Sequence, residues 1–153
     1  MKSSEEIKQL AYERLSEAKI LCNHEKYDGA FYLAGYSIEL MLKAKVCEHW
    51  GIPNLFDEAY QTHGISEVRK AIKTHDITVL LIFSGLKIKF ETAKGVNKVL
   101  MQTHARLFAT SGRCLWSEQV RYQPIGSQNA EDVQQLMILL QHEEGLLKWI
   151  EKS

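Results

Sequence analysis

The longest helical pattern in the chain runs from Tyr27 to Trp50, and it constrains the fold more than any other stretch. Small and apolar side chains recur there at steps of three and four, the spacing of one helix face: Ala30, Leu33, Ala34, Ser37, Leu40, Met41, Ala44 and Cys47. Other apolar residues occupy the remaining sides, and a helix that is apolar nearly all round is normally buried at the centre of its domain. Gly51 and Pro53 end the pattern, as a C′ glycine and a following proline do. The sequence therefore predicts one long, buried central helix.

A second helical pattern precedes the central helix. Ser3 or Ser4 can cap its start, and its apolar stripe runs from Ile7 to Cys22, so we expect it to end at about Glu25. A short connection separates the two helices, which predicts an antiparallel hairpin. The chain has 153 residues, the size of a single domain, and we expect residues 1–153 to form one.

The rest of the chain predicts a loop over residues 51–64 and then shorter helices. We expect these helices at four places: 65–73, from Thr74 or Asp76 to Gly85, 90–110 ended by Ser111 and Gly112, and a last helix capped by Ser127 or Asn129. The β-branched residues 77–79 also fit a strand, but no partner strand is evident elsewhere, which favours a short buried helix. The predicted fold is all-α, an up-and-down bundle of about five helices.

The composition excludes several classes of protein. Nineteen basic residues balance nineteen acidic ones, so the chain lacks the excess charge of a strongly basic nucleic-acid binder, although this balance is compatible with a local basic patch. Cys22, Cys47 and Cys114 are widely spaced and odd in number, which indicates reduced cysteines in a cytoplasmic protein. The N-terminus is too charged for a signal peptide, and no apolar run is long enough to span a bilayer. We expect no membrane association, no metal site and no cofactor.

Two pairs of polar residues stand out as candidates for ligand binding. Glu39 and Lys43 lie four residues apart within the apolar central helix, where unpaired charge is unfavourable. They are either a partly exposed ion pair or part of a binding cleft. Arg121 and Tyr122 precede a chain break at Pro124 and could present a cation and a ring to phosphate and base. Alternatively, the tyrosine packs in the core and the arginine forms a salt bridge.

Three blocks of the sequence together resemble HEPN domains, which are small helical proteins. They are YDGAFYLAGYSIELMLKA at 27–44, HDITVLL at 75–81 and VRYQP at 120–124. The resemblance implies an up-and-down bundle, commonly a homodimer, that binds nucleotides or RNA. Many members are paired with a minimal nucleotidyltransferase, as its substrate-binding partner or within a toxin–antitoxin system, and many others are metal-independent ribonucleases.

The ribonuclease members of that family carry an arginine followed within a few residues by a histidine. No histidine follows Arg121 within ten residues, but Arg69 precedes His75 with five residues between them. In the catalytic interpretation, His75 would exchange a proton with a ribose hydroxyl while Arg69 holds phosphate charge. In the alternative, Arg69 is solvated and His75 packs at the start of a helix.

These observations lead to three hypotheses for the function. The first is a nucleotide- or RNA-binding protein in which Glu39, Lys43, Arg121 and Tyr122 converge, with Glu39 orienting Arg121. The second is a metal-independent ribonuclease that uses Arg69 and His75. The third is a helical interaction module without a ligand, in which the charged residues are only structural.

Overall fold

The computed structural model describes residues 3–108 and 115–153, and all regular structure within these ranges is helical. The α-helices are α1 (Ser4–Asn23), α2 (Tyr27–Trp50), α3 (Ile65–Ile72), α4 (Ile77–Phe83), α5 (Lys87–Lys94), α6 (Lys98–Leu107), α7 (Ala130–Gln141) and α8 (Leu146–Lys152), and a 3₁₀ helix spans Glu118–Tyr122. The predicted all-α bundle on a long helical hairpin is confirmed. No described helix is both long enough and apolar enough to cross a membrane.

The hairpin of α1 and α2 is the centre of the bundle. Ser3 caps α1 by accepting a hydrogen bond from the backbone N–H of Glu6, and Gly51 ends α2 in the left-handed conformation. Every residue from 37 to 47 is buried, because α2 packs against α1 along its length and also against α4, α7, α8 and the 3₁₀ helix. The apolar residues on all sides of α2 therefore have the role that the sequence predicted for them.

Two long helices expected from the sequence are each divided into two. The segment predicted as one helix over 90–110 forms α5 and α6, because the Asn97 side chain accepts hydrogen bonds from Val99 N at 2.9 Å and Leu100 N at 3.3 Å. Asn97 thus begins a new helix where we expected the old one to continue. Ser111 and Gly112, the predicted stop, lie outside the described residues. The last segment likewise divides between α7 and α8, with a break over residues 142–145.

The region with the β-branched residues 77–79 is helical, as we predicted from the sequence. Asp76 caps α4 by accepting hydrogen bonds from Thr78 N at 2.8 Å and Val79 N at 3.2 Å. This capping satisfies two of the N–H groups that a helix start leaves without partners. His75 directly precedes this cap, and its side chain contacts Glu39 of α2.

Trp116 attaches the 3₁₀ helix to α2. Its indole lies against Gly35, and a Cβ atom at that position would lie 2.1 Å from the ring. Its Nε1 donates a hydrogen bond to the Tyr32 carbonyl at 3.1 Å. Glycine at position 35 therefore lets a buried tryptophan approach the helix closely, and the Trp116 contact holds Arg121 and Tyr122 beside α2.

Candidate functional site

One face of α2 carries four polar or aromatic side chains on successive turns. Tyr32, Tyr36, Glu39 and Lys43 follow one another at steps of four, three and four, so they form a single stripe, which we call the α2 face. The rings of Tyr32 and Tyr36 are stacked, with centroids 6.1 Å apart and planes 11° apart. Both tyrosines are half-buried, whereas Glu39 and Lys43 are buried.

The Glu39 carboxylate is the centre of a buried polar group. Its side chain is only 1% exposed, and its Oε1 atom lies 2.8 Å from Lys43 Nζ and 2.8 Å from His75 Nδ1. The Lys43 ammonium also lies 5.7 Å from the centroid of the Phe56 ring. A carboxylate out of water is stable only when donors surround it, and Lys43 and His75 supply them. The interpretation of a partly exposed ion pair is therefore wrong.

His75 connects this buried group to the surface. Its side chain is 55% exposed, and the hydrogen bond to Glu39 uses Nδ1 as the donor, since an ionised carboxylate only accepts. In the neutral ring, Nε2 is then the acceptor. A carboxylate that selects the tautomer of a histidine and orients its ring is the arrangement used by acid–base catalysts.

Arg121 and Tyr122 lie at the other end of the α2 face. Arg121 Nη1 donates a hydrogen bond to Tyr32 Oη at 3.4 Å, and the guanidinium carbon lies 4.8 Å from the centroid of the Tyr122 ring. The hydrogen bond with Tyr32 raises the pKa of Arg121, and an arginine guanidinium is charged in proteins in any case. Both Arg121 and Tyr122 are exposed, and the site at this end is an accessible cation between two phenol rings.

Tyr36 occupies the middle of the face, and its hydroxyl remains neutral. Burial raises the pKa of Tyr36, and the negative charge of Glu39 acts in the same direction, while Arg14 on α1 acts against it. A neutral phenol can both donate and accept a hydrogen bond. Tyr36 therefore offers both hydrogen-bonding roles between the carboxylate end and the guanidinium end of the α2 face.

The predicted ligand-binding residues lie together in two pairs, which make separate contacts. Glu39 contacts Lys43, and Arg121 contacts Tyr122, but no contact between Glu39 and Arg121 is found in the described parts of the chain. Tyr32, which holds Arg121, lies two helical turns before Glu39, or about 10 Å along the axis. The expectation that Glu39 orients Arg121 is therefore wrong, since Tyr32 holds the arginine and Glu39 is engaged elsewhere.

Arg69 lies on α3 and is buried against the loop between α2 and α3. Its side chain is 2% exposed, and it donates hydrogen bonds to the carbonyl oxygens of Leu55 at 2.7 Å, Asp57 at 2.8 Å and Tyr60 at 2.6 Å. This geometry rules out a solvated Arg69. Within the described residues, Arg69 contacts loop carbonyls and His75 contacts Glu39, so the two predicted catalytic side chains do not touch. Their joint catalytic role stays a prediction.

Two residues of the site, Tyr32 and Tyr36, were missed by reasoning from sequence. Their positions, seven and three residues before Glu39, place them on its helix face, so the helical period was the signal that could have found them. Among the described residues, no group of three or more His, Cys, Asp or Glu side chains could hold a metal ion. Comparison of the chain with protein-family models, with curated proteins and with solved structures gives no match.

Proposed function

We propose that the chain binds a nucleotide or a short single-stranded segment of RNA at the α2 face together with His75, Arg121 and Tyr122, a surface we call the α2 site. The observation that carries the proposal is the exposed Arg121 guanidinium between Tyr32 and Tyr122. A guanidinium pairs with phosphate oxygens, and tyrosine rings stack on bases. An accessible cation with an accessible ring beside it suits a ligand that carries both groups.

The charges of the site favour a short ligand. The chain has no net charge. The α2 site has two cationic side chains that are always or normally charged, Lys43 and Arg121, and Lys43 is buried against Glu39. The site can therefore neutralise few phosphates at once. Affinity for a long polyanion grows with the number of phosphates that are neutralised, so a long ligand gains little here. Stacking of one or two bases on tyrosine rings supplies affinity that does not depend on charge.

The proposed family is the HEPN domains. Support comes from the way the fold places the three resembling blocks. His75, from the second block, contacts Glu39 in the first, and Arg121, from the third, contacts Tyr32 in the first. Segments far apart in sequence thus contact the same helix, α2. By the same resemblance, we propose a cytoplasmic protein whose partner is a minimal nucleotidyltransferase, as in toxin–antitoxin pairs.

A metal-independent ribonuclease is the second candidate, and a specific contact favours it. Glu39 holds His75 through Nδ1 and leaves Nε2 as the ring's proton acceptor, as deprotonation of a ribose 2′-hydroxyl requires. Arg121 is exposed and could hold phosphate in such a reaction, whereas Arg69 is engaged with loop carbonyls. In this form of the proposal, His75 is the catalytic residue and Glu39 is the residue that positions it.

Equilibrium titration with labelled single-stranded RNA and with AMP tests the binding proposal. Arg121→Ala should weaken binding by about 1.5–3 kcal/mol, because it removes a charged hydrogen bond to phosphate. The matched control is Lys98→Ala, which removes one exposed positive charge on α6 and should leave binding nearly unchanged. If neither RNA nor AMP binds, or if the two variants lose affinity equally, the α2 site is not the binding site. Absence of binding would favour the interaction module without a ligand.

Incubation of the purified protein with single-stranded RNA in the presence of a chelator separates binder from ribonuclease. If the chain only binds, the RNA should stay intact. Cleavage that persists with chelator and disappears in His75→Ala would establish the ribonuclease. In that event, loss of cleavage in Arg69→Lys would show that Arg69 contributes to the reaction, although its side chain binds loop carbonyls and does not contact His75.

A homodimer remains part of the proposal, although one reason for it has changed. In the sequence, Gly29, Gly35 and the many apolar residues of the central hairpin indicate more apolar surface than one subunit can cover. Both glycines instead face side chains of their own chain, Leu21 and Trp116, and residues 37–47 of α2 are buried within one subunit. The proposal therefore depends on the family resemblance. Light scattering at micromolar concentration should give twice the chain mass of 17.6 kDa, and a monomer mass would contradict it.

A further inference from the structure

A cavity of about 420 Å³ lies between α2, α6 and α7, and nothing in the α2 site uses it. Phe31, Val133 and Leu136 form an apolar wall, while Arg106, Gln128 and Asp132 place polar groups around it. Cavities of this size with an apolar wall and a few convergent polar groups are typical binding sites for small molecules. We call it the Arg106 cavity.

The Arg106 guanidinium is only partly satisfied by the protein. Nη1 donates a hydrogen bond to the Gln102 carbonyl at 3.1 Å, one turn earlier in α6. Nε is buried and has no hydrogen-bond partner, and no ion pair with Arg106 is found among the described residues. A buried donor without a partner is unfavourable, and such a group commonly indicates an unassigned water, ion or ligand.

The orientation of the guanidinium indicates which ligand suits it. Because Nη1 is engaged with the helix, the edge formed by Nε and Nη2 remains. The two N–H groups of that edge are parallel, and they match the two oxygens of a carboxylate. The apolar wall suits a hydrocarbon body, and the Asp132 carboxylate at the same cavity would repel a second anionic group.

We propose that the Arg106 cavity binds a small monocarboxylate with an apolar body. The carboxylate pairs with Nε and Nη2 of Arg106, which satisfies the buried donor, and the hydrocarbon part lies against Phe31, Val133 and Leu136. Gln128 Nε2 donates to Gln123 Oε1 at 3.0 Å, and its second N–H group is left for one hydrogen bond to the ligand. Because Nε is buried while the side chain as a whole is partly exposed, the proposed pairing requires the guanidinium to turn toward the cavity.

The cavity is separate from the α2 site. Phe31 and Tyr32 are consecutive in α2, and consecutive helical side chains point about 100° apart around the axis. The proposal therefore stands or falls independently of nucleotide or RNA binding. Arg121, the exposed arginine of the α2 site, then serves as a control for Arg106 that has the same side chain.

Calorimetric titration of the full chain with 4-methylpentanoate, and with its neutral amide 4-methylpentanamide, tests the proposal. We expect saturable binding of the acid, no measurable binding of the amide, and affinity for the acid at least about tenfold lower in Arg106→Lys, which keeps the charge but loses the parallel edge. Arg121→Lys should bind as the wild type does. Equal binding of acid and amide, or full affinity in Arg106→Lys, would overturn the proposal, as would absence of saturable binding.

Two further measurements keep the test decisive if Arg106→Lys fails to fold. In the wild-type protein, the acid should shift the NMR signal of the Arg106 Nε–H group and leave that of Arg121 in place. Adipate, a dicarboxylate, should bind more weakly than 4-methylpentanoate, and Asp132→Asn should reduce that difference because it removes the repelling charge. An unmoved Arg106 signal in the presence of saturating acid would contradict the proposed contact.

Discussion

The Glu39 carboxylate and the His75 imidazole lie 2.8 Å apart, although 36 residues separate them in the chain. Glu39 is almost fully buried, whereas more than half of the His75 side chain is exposed. His75 therefore connects the buried Glu39 carboxylate with the protein surface. Lys43 contacts the same carboxylate oxygen. Loss of the Glu39 charge would therefore leave the buried lysine without its partner.

Removal of Glu39 should destabilise the fold strongly. Glu39→Gln leaves the buried Lys43 ammonium without its counter-charge, and we expect the free energy of unfolding to fall by about 3–5 kcal/mol. The double variant Glu39→Gln/Lys43→Met should be more stable than the single variant, because no uncompensated charge remains. Urea denaturation measures both, and a loss below about 1 kcal/mol in Glu39→Gln would mean that the pair is effectively solvated.

Alanine at position 35 should destabilise the protein, although alanine normally favours a helix. Its Cβ would lie 2.1 Å from the Trp116 ring, and overpacking of this kind lowers stability by about 1–3 kcal/mol. Gly29→Ala is the matched control, since its Cβ would meet only the end of the Leu21 side chain at 3.1 Å. Thermal unfolding should rank Gly35→Ala well below Gly29→Ala, and equal midpoints would contradict the Trp116 contact. Gly35→Ala should also weaken RNA binding, because Trp116 holds the segment that carries Arg121.

Arg69 should contribute to stability more than to ligand binding. Arg69→Lys cannot reach three carbonyls at once, so we expect a loss of about 1.5–3 kcal/mol and faster amide hydrogen exchange over residues 55–60. Lys70→Ala, at the exposed neighbouring position, should change neither quantity. A fully stable Arg69→Lys protein that no longer processes RNA would instead favour the catalytic role for Arg69.

Glu48 should make stability depend on pH in the acidic range. Burial acts to raise its pKa, but hydrogen bonds and charges from Lys8 and Lys45 outweigh it and lower the pKa below the ordinary 4.5. A group with a depressed pKa in the folded state contributes stability above the unfolded value, and that contribution is lost as the pH falls through the folded value. Glu48→Gln should therefore be less stable than wild type at pH 7, and the difference should shrink as the pH falls below about 4.5. The exposed control Glu143→Gln should follow the wild type at every pH, and a constant deficit in Glu48→Gln would contradict the ion-pair explanation.

The hairpin could be predicted from sequence because its signals are long and repeated. The pattern over 27–50 continues for more than six turns, and Gly51 ends it in the left-handed conformation that glycine favours. The later helices were harder to predict, because each division depends on one local competition. Asn97 can continue a helix or cap a new one, and only the packing of α6 decides between them.

The site was only partly predictable for a related reason. The pairs Glu39–Lys43 and Arg121–Tyr122 are local, so their spacing revealed them. The contact of His75 with Glu39 depends on the path of the loop after α2, which Arg69 organises through backbone carbonyls that carry no sequence signal. The carbonyl groups of that loop bind the Arg69 side chain. The suggestive spacing of Arg69 and His75 in the sequence therefore does not bring their side chains together.

Photo-crosslinking tests the central claim, that the α2 site binds nucleotide or RNA, most directly. Single-stranded RNA that carries 4-thiouridine would be irradiated with the wild-type protein and with Arg121→Ala, and the crosslinked residues identified by mass spectrometry. We expect crosslinks at Tyr122, Tyr32 or Tyr36, with a yield that falls in Arg121→Ala and in the presence of excess AMP. Crosslinks that instead concentrate on the lysine-rich segment 87–98, or that are unchanged in Arg121→Ala, would contradict the proposed site.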